Sequence, residues 1–284
     1  MQRCTQCERE FSGPAWECPQ CGFAPTVEGG ILRFSQVADS GFEASFFQRL
    51  ARLEAGFWWF EARNDLIAWA FRTYAGAEGS FLEIGCGTGF VSARLAKEFP
   101  RWRISASEFF AEGLAFVGKR IERATLFQLD ARGLPFSDEF DAIGAFDVIE
   151  HIEDERAVLK EARRALKPNG LMFITVPQHP FLWSALDAHA HHERRYTRAE
   201  LRHKLVAAGF DVVMLRSFVS LLMPLLLLSR LRPSSGEVDP EGEFKISPAL
   251  NGMLRAIMRL EAAAIRAGVG FPFGGSLLAV ARRT

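Results

Sequence analysis

Three glycines at alternate positions, Gly85, Gly87 and Gly89, stand between a short apolar run, 81–84, and an amphipathic stretch, 91–99. Alternate glycines let a chain turn sharply out of a strand and bring bare backbone close to a ligand before a helix begins. The rhythm then repeats. Apolar runs at 102–105, 124–129, 140–146, 171–176 and 210–215 read as strands, and helical periodicity fills 113–120, 153–166 and 197–208 between them. A last apolar run, 276–281, supplies a seventh strand. Such alternation predicts an α/β fold, a doubly wound, parallel-rich sheet with helices on both faces.

Composition narrows the class. The 284 residues carry 34 basic and 34 acidic side chains, and 49% are hydrophobic, the balance of a globular chain rather than a disordered one. Zero net charge argues against a protein that coats nucleic acid, which needs a basic excess against phosphate, although a local basic patch stays open. The opening Met1-Gln2-Arg3-Cys4 lacks the apolar core of an export signal. The greasiest stretch, 218–231, is shorter than a membrane span and is interrupted by Pro224 and Ser229. The expectation is a cytoplasmic protein, with peripheral membrane contact left open.

Four of the 5 cysteines form two C-x-x-C knuckles, Cys4 with Cys7 and Cys18 with Cys21. Without an export signal this is a metal pattern rather than a disulfide framework, and four thiolates around one zinc make a closed, structural site. The expected organisation is a zinc ribbon over 1–33, an aromatic helical lid segment over 34–78, and one domain over 79–284. Within that domain, 218–275 is an insertion that caps the substrate pocket.

Ligands of open parallel sheets bind beyond the carboxyl ends of the strands, and the candidate site residues gather there. The dinucleotide fingerprint wants G-x-G-x-x-G; here the third glycine comes one residue early and Phe90 follows, which disfavours NAD. Glu108 ends the second strand, where an acid grips ribose hydroxyls. Asp130 closes the third, where a carboxylate accepts a hydrogen bond from an adenine amino group.

On these residues the chain resembles the class I S-adenosylmethionine-dependent methyltransferases, of the type 11/12-like kind. Their first motif, E-x-G-x-G-x-G, is matched by Glu83, Gly85, Gly87 and Gly89, and the acid after strand two by Glu108. Leu129-Asp130-Ala131 with Leu134-Pro135-Phe136 is similar to the adenine-side loop, Asp147-Val148-Ile149-Glu150-His151 to the fourth-strand motif, and Lys167-Pro168-Asn169-Gly170 to the turn before strand five. The resemblance spans about 79–215 plus the terminal strand. It implies a Rossmann-like seven-stranded sheet and S-adenosyl-L-methionine as cofactor. It also implies a cofactor site of Glu83, Gly85, Cys86, Gly87, Gly89, Glu108, Asp130 and Ala131, with Arg63 near the methionine carboxylate. Cys86, having no base beside it in sequence, also reads as a small buried filler.

A sulfonium methyl is already electrophilic, so the protein's task is to align a nucleophile and exclude water, with a general base where the acceptor is a hydroxyl. In the ubiquinone-pathway O-methyltransferases a similar acidic-x-x-Glu-His stretch lies beside the acceptor and is associated with a divalent metal. That resemblance makes His151 the preferred base, and Asp147 and Glu150 its orienters or ligands of a divalent metal. Capping and solvation of the following helix is the plainer alternative for Glu150 and His151. A second polar cluster, His189, His191, His192, Glu193, Arg194, Arg195 and Tyr196, reads either as an acceptor-facing loop or as a solvated one.

Three functions compete at this point. The first is methyl transfer, directed to oxygen, onto a small, apolar or lipid-linked acceptor. The second is a zinc-ribbon rRNA methyltransferase, the reading to prefer if the ribbon and Arg194 and Arg195 form one basic stripe in the structure. The third is a non-catalytic, cofactor-binding zinc-ribbon adaptor.

Overall fold

The computed structural model describes residues 1–34, 44–231 and 246–284. Parts of the lid segment (35–43) and of the insertion (232–245) lie outside the described residues. Two short strands, β1 (Gln2–Arg3) and β2 (Glu10–Phe11), pair antiparallel around the first cysteine knuckle. β3 (Thr26–Glu28) and β4 (Ile31–Arg33) form a hairpin whose two-residue turn is Gly29-Gly30, both at positive φ, the backbone that a tight hairpin matching strand twist requires. The aromatic segment forms α1 (Ala44–Leu53) and α2 (Trp58–Tyr74).

The repeating units follow as β5 (Gly79–Ile84), α3 (Phe90–Glu98), β6 (Trp102–Glu108), α4 (Ala111–Arg120), β7 (Thr125–Gln128), β8 (Phe140–Phe146), α5 (Glu155–Ala165) and β9 (Leu166–Pro177). The chain continues through α6 (Ala185–His189), α7 (Arg198–Ala207), β10 (Phe210–Phe218), α8 (Met223–Leu231), α9 (Pro248–Arg266) and β11 (Ser276–Arg283). Capping residues start several helices. Asp154 accepts from the Ala157 amide at the head of α5, and Thr197 with Glu200 forms a reciprocal capping box on α7.

The principal sheet has the order β10-β11-β9-β8-β5-β6-β7-β4-β3. All seven strands expected from the sequence are in it; β4 adds parallel to β7, and β3 closes that edge antiparallel. The N-terminal segment is thus divided: the cysteines keep a two-stranded sheet of their own, while 26–33 extends the main one. The central strands are buried on both faces, so they read as unbroken apolar runs. On β5, Phe81 packs under α2 and α3 in one core cluster, while Leu82 and Ile84 face α5 in the other. From β5 the chain winds outward through β6 and β7, then returns to β8 on the other side of β5. The crevice where winding reverses lies beyond Ile84 and Phe146. The insertion's α9 packs back on the aromatic segment, where Asn251 accepts from the Trp58 amide (2.9 Å) and donates to the Gly56 carbonyl (2.9 Å).

Candidate active site

The loop 85–89 is squeezed between two neighbours. At Gly85 (φ +62) an added Cβ would lie 2.6 Å from a Val148 methyl, and at Gly89 (φ +76) 2.8 Å from a Val117 methyl. Left-handed backbone costs other residues roughly 1–2 kcal/mol, and here the space is also occupied. Gly89 begins α3 without a side-chain cap; the Ser92 amide of the first turn is taken by the Glu83 carboxylate, which leaves the amides of Phe90 and Val91 to be satisfied otherwise. Cys86 is buried in the core beneath the loop, and burial pushes its thiol upward, away from nucleophilic use.

Two carboxylates meet this loop. Glu108, at the end of β6, accepts from the amides of Gly87 (2.8 Å) and Phe109 (2.8 Å); burial raises its pKa, and those amides counter the shift. Glu83, only 3% exposed, accepts from the Ser92 hydroxyl on α3, and burial raises it to about 7. A third acid, Glu54, has no motif to announce it. Its buried carboxylate receives the Thr88 hydroxyl (2.7 Å) and pairs with Arg120 (2.5 Å), tying the turn after α1 to the glycine loop. Asp130 stands at the mouth of the β7–β8 connection, folded onto Arg132 in a bidentate pair, with Ala131 beside it.

The other side of the crevice is built from the end of β8. Asp147 sits at φ +56 and pairs with Arg63 of α2 and with the Thr175 hydroxyl (3.0 Å). The Arg63 guanidinium lies 4.7 Å from the centre of the Trp59 ring, so the aromatic helix orients it. Glu150 is fully buried, and neither of its oxygens has a hydrogen-bond partner among the described residues. Burial beside Asp147 raises its pKa. Donor atoms of Glu150, His151 and His192 all lie within 4.8 Å of one another. His151 is exposed at its residue surface, but desolvation of its ring, with His192 alongside, lowers it to about 4. Asp147 is not one of this group; its carboxylate is engaged by Arg63 and Thr175.

His192 is held from behind. Its Nδ1 is 2.9 Å from Asp187, whose carboxylate also receives Arg195 (2.7 Å) and the Ser184 hydroxyl (2.9 Å) and is held well below the usual range despite its burial. Arg194 is spent on Glu155 and the carbonyls of Ile152 (2.6 Å) and Glu153 (3.0 Å). The buried Tyr196 hydroxyl has no partner among the described residues. His189, Glu193 and His191 are exposed in the same stretch. Sequence reasoning singled out this cluster but missed Asp187; the signal was an acid five residues before His192 and eight before Arg195.

The four N-terminal thiols also converge. Their sulfurs all lie within 4.8 Å of one another, with Cys4 to Cys21 at 3.5 Å and Cys7 to Cys18 at 3.6 Å. A tetrahedral zinc with Zn–S bonds of about 2.3 Å places sulfurs about 3.8 Å apart. The amides of Gln6 and Cys7 both point at the Cys4 sulfur (3.4 Å), as they do where a thiolate needs support.

A family profile described as a methyltransferase domain matches residues 54–215. Among curated proteins, the chain is 28% identical over 158 residues to a probable S-adenosylmethionine-dependent methyltransferase of Mycolicibacterium smegmatis, covering 55% of this chain and 60% of that one. It is 34% identical over 94 residues to the demethylmenaquinone methyltransferase of Thermotoga maritima, covering 33% and 41%. The chain thus spans well under two thirds of the length of these relatives. Among solved structures it resembles one from the complex of the Haloferax volcanii Trm112 methyltransferase activator with a methyltransferase, at TM-score 0.58 and 19% identity over 87% of this chain and 99% of that one; at this identity the likeness speaks for the fold. The family profile covers more than half of the chain, including the glycine loop, Glu108 and Asp130, and the chain belongs to the methyltransferase domain family.

Proposed function

We propose that the protein transfers a methyl group from S-adenosyl-L-methionine to the oxygen of a small, apolar or lipid-linked acceptor. The observation that carries the cofactor half is the meeting of Glu108 with the Gly87 amide at the uncapped start of α3. That arrangement offers bare backbone to the amino-acid part of the cofactor and a carboxylate to its ribose, with Asp130 and Ala131 on the adenine side. Arg63 supplies positive charge where the methionine carboxylate would lie. In calorimetry with S-adenosylhomocysteine, Glu108→Ala should weaken binding at least roughly tenfold, the loss of about 1.4 kcal/mol or more. Unchanged affinity would remove Glu108 from the ribose role.

Toward the acceptor, Glu150, His151 and His192 suit a divalent cation better than the Asp147-containing set the motif suggests. A buried carboxylate without a donor, two imidazoles and a carboxylate behind the second imidazole make a common metal-site arrangement. Bound there, a cation would polarise an acceptor oxygen. His151 has a second reading as general base, with Asp147 and Glu150 as orienters; the unpartnered Glu150 oxygens favour the cation. The acceptor class is supported by the quinone named for the Thermotoga relative and by the exposed Leu221, Leu225 and Leu228 of the insertion. No described helix is long and apolar enough to cross a membrane. The RNA reading needs Arg194 and Arg195 on an open basic face, and both are engaged internally.

The N-terminal cysteines are proposed to hold one structural zinc, with Cys4, Cys7, Cys18 and Cys21 as ligands. Metal analysis checks both sites together. Purified protein should carry one zinc that Cys18→Ser loses, and added manganese should bind native protein but not Glu150→Gln. Zinc-free native protein would sink the first assignment, and equal manganese binding by the variant the second.

A further inference from the structure

The cysteine module is packed against the segment that closes the adenine side of the crevice. Arg3 donates its amide to the Pro135 carbonyl (2.9 Å), Gln2 bridges Phe136, and the Ser137 amide donates back to the Met1 carbonyl (2.9 Å). The Arg3 guanidinium lies 3.8 Å from Glu161, which itself accepts from the Leu134 amide (2.9 Å). At the centre is Trp16. Its ring meets Phe127 edge-on at 5.8 Å and Phe136 at 5.7 Å, with Phe34 behind it at 5.1 Å. Phe127 lies three residues before Asp130 and Phe136 five after Ala131, so one ring touches both limbs of the connection that carries these two residues. β4 runs along the same edge, pairing Arg33 with Gln128, and the Phe34 amide donates to the Gln128 carbonyl (2.9 Å).

We infer that Trp16 is a positioning residue for the cofactor: it sets the gap between the two limbs of the β7–β8 connection, and so the place of Asp130 and Ala131. This rests on those two residues facing adenine. Trp16 stands two residues before Cys18, so drawing the four thiolates together fixes where the indole sits. The ring makes edge-to-face contacts with both phenylalanines, a geometry that specifies separation and angle more closely than aliphatic packing does. The N-terminal module therefore acts on the cofactor without touching it.

The test is calorimetric affinity for S-adenosylhomocysteine in the full chain, read beside thermal stability. Trp16→Ala should bind roughly tenfold more weakly, about 1.4 kcal/mol, and Trp16→Phe should recover most of the loss. Leu205→Ala, on the buried face of α7 where that helix packs at the β10 edge of the sheet, should lower the melting temperature and leave affinity unchanged. Should Trp16→Ala fail to fold, Trp16→Leu compared with Trp16→Phe keeps the contrast between shape and bulk. If Trp16→Ala binds like native protein while Asp130→Ala binds weakly, the inference is wrong and the adenine reading stands. If Asp130→Ala leaves affinity unchanged, the adenine reading itself falls, and the inference with it. Equal weakening in Leu205→Ala would make the effect one of general stability and overturn the positioning role.

Discussion

Among the described residues, Glu54, Glu83 and Glu150 are buried around this crevice and Glu108 is half-buried, and they are compensated differently. Glu54 has an arginine and a hydroxyl, Glu108 has backbone amides, Glu83 has the hydroxyl and the amide of Ser92, and Glu150 has no hydrogen-bond partner among the described residues. A buried charge without a partner is costly, so Glu150 either stays protonated or holds a cation. Glu83 gives a pH signature instead. Its value rises from 4.5 to about 7 on folding because burial disfavours the charged form. The folded protein therefore holds this proton more tightly than the unfolded chain does. The stabilisation is complete below about pH 4.5 and is lost as pH rises through about 7. Melting temperatures measured from pH 5 to pH 8 should fall more steeply for native protein than for Glu83→Gln; parallel curves would show that Glu83 does not titrate in this way. Glu83, Glu108 and the glycines were legible in the sequence because their spacing follows strand ends. Glu54 and Asp187 were not, since each becomes part of the site only through contacts with residues placed by the fold.

At the scale of elements, the strands buried on both faces announce themselves most plainly. β5, β8, β9 and β11 carry apolar runs long enough to show, and capping residues mark the heads of α5 and α7. β3 and β4 are three residues each, too short for periodicity, and their clearest trace is the Gly29-Gly30 turn. The zinc-ribbon reading of 1–33 rests on the spacing of Cys4, Cys7, Cys18 and Cys21, which says nothing of the hairpin at 26–33. The aromatic helix α2 was legible as a helix, but its role was not. Packed by α9 on one side, it carries Arg63 to Asp147 and ties Asn64 to the Phe90 carbonyl (3.2 Å) above the glycine loop. The loop's close fit against Val148 and Val117 likewise depends on strand order, which no local pattern reveals.

In the whole molecule, segments from both ends of the chain converge on one crevice. The N-terminal module braces the β7–β8 connection from the sheet edge, the aromatic helices lie across the glycine loop, and the insertion locks onto them through Asn251. The doubly wound core alone would supply the glycine loop and Glu108; the added segments supply Arg63, Glu54 and the support for Asp130. The central claim is that an adenosyl sulfonium lies along this loop. The most direct measurement is a crystal structure grown with S-adenosylhomocysteine. The account predicts density running over residues 85–89, ribose hydroxyls on Glu108 and adenine beside Asp130 and Ala131. Density elsewhere, or a crevice closed by Phe47 and Leu50 with the compound absent at saturating concentration, would contradict it.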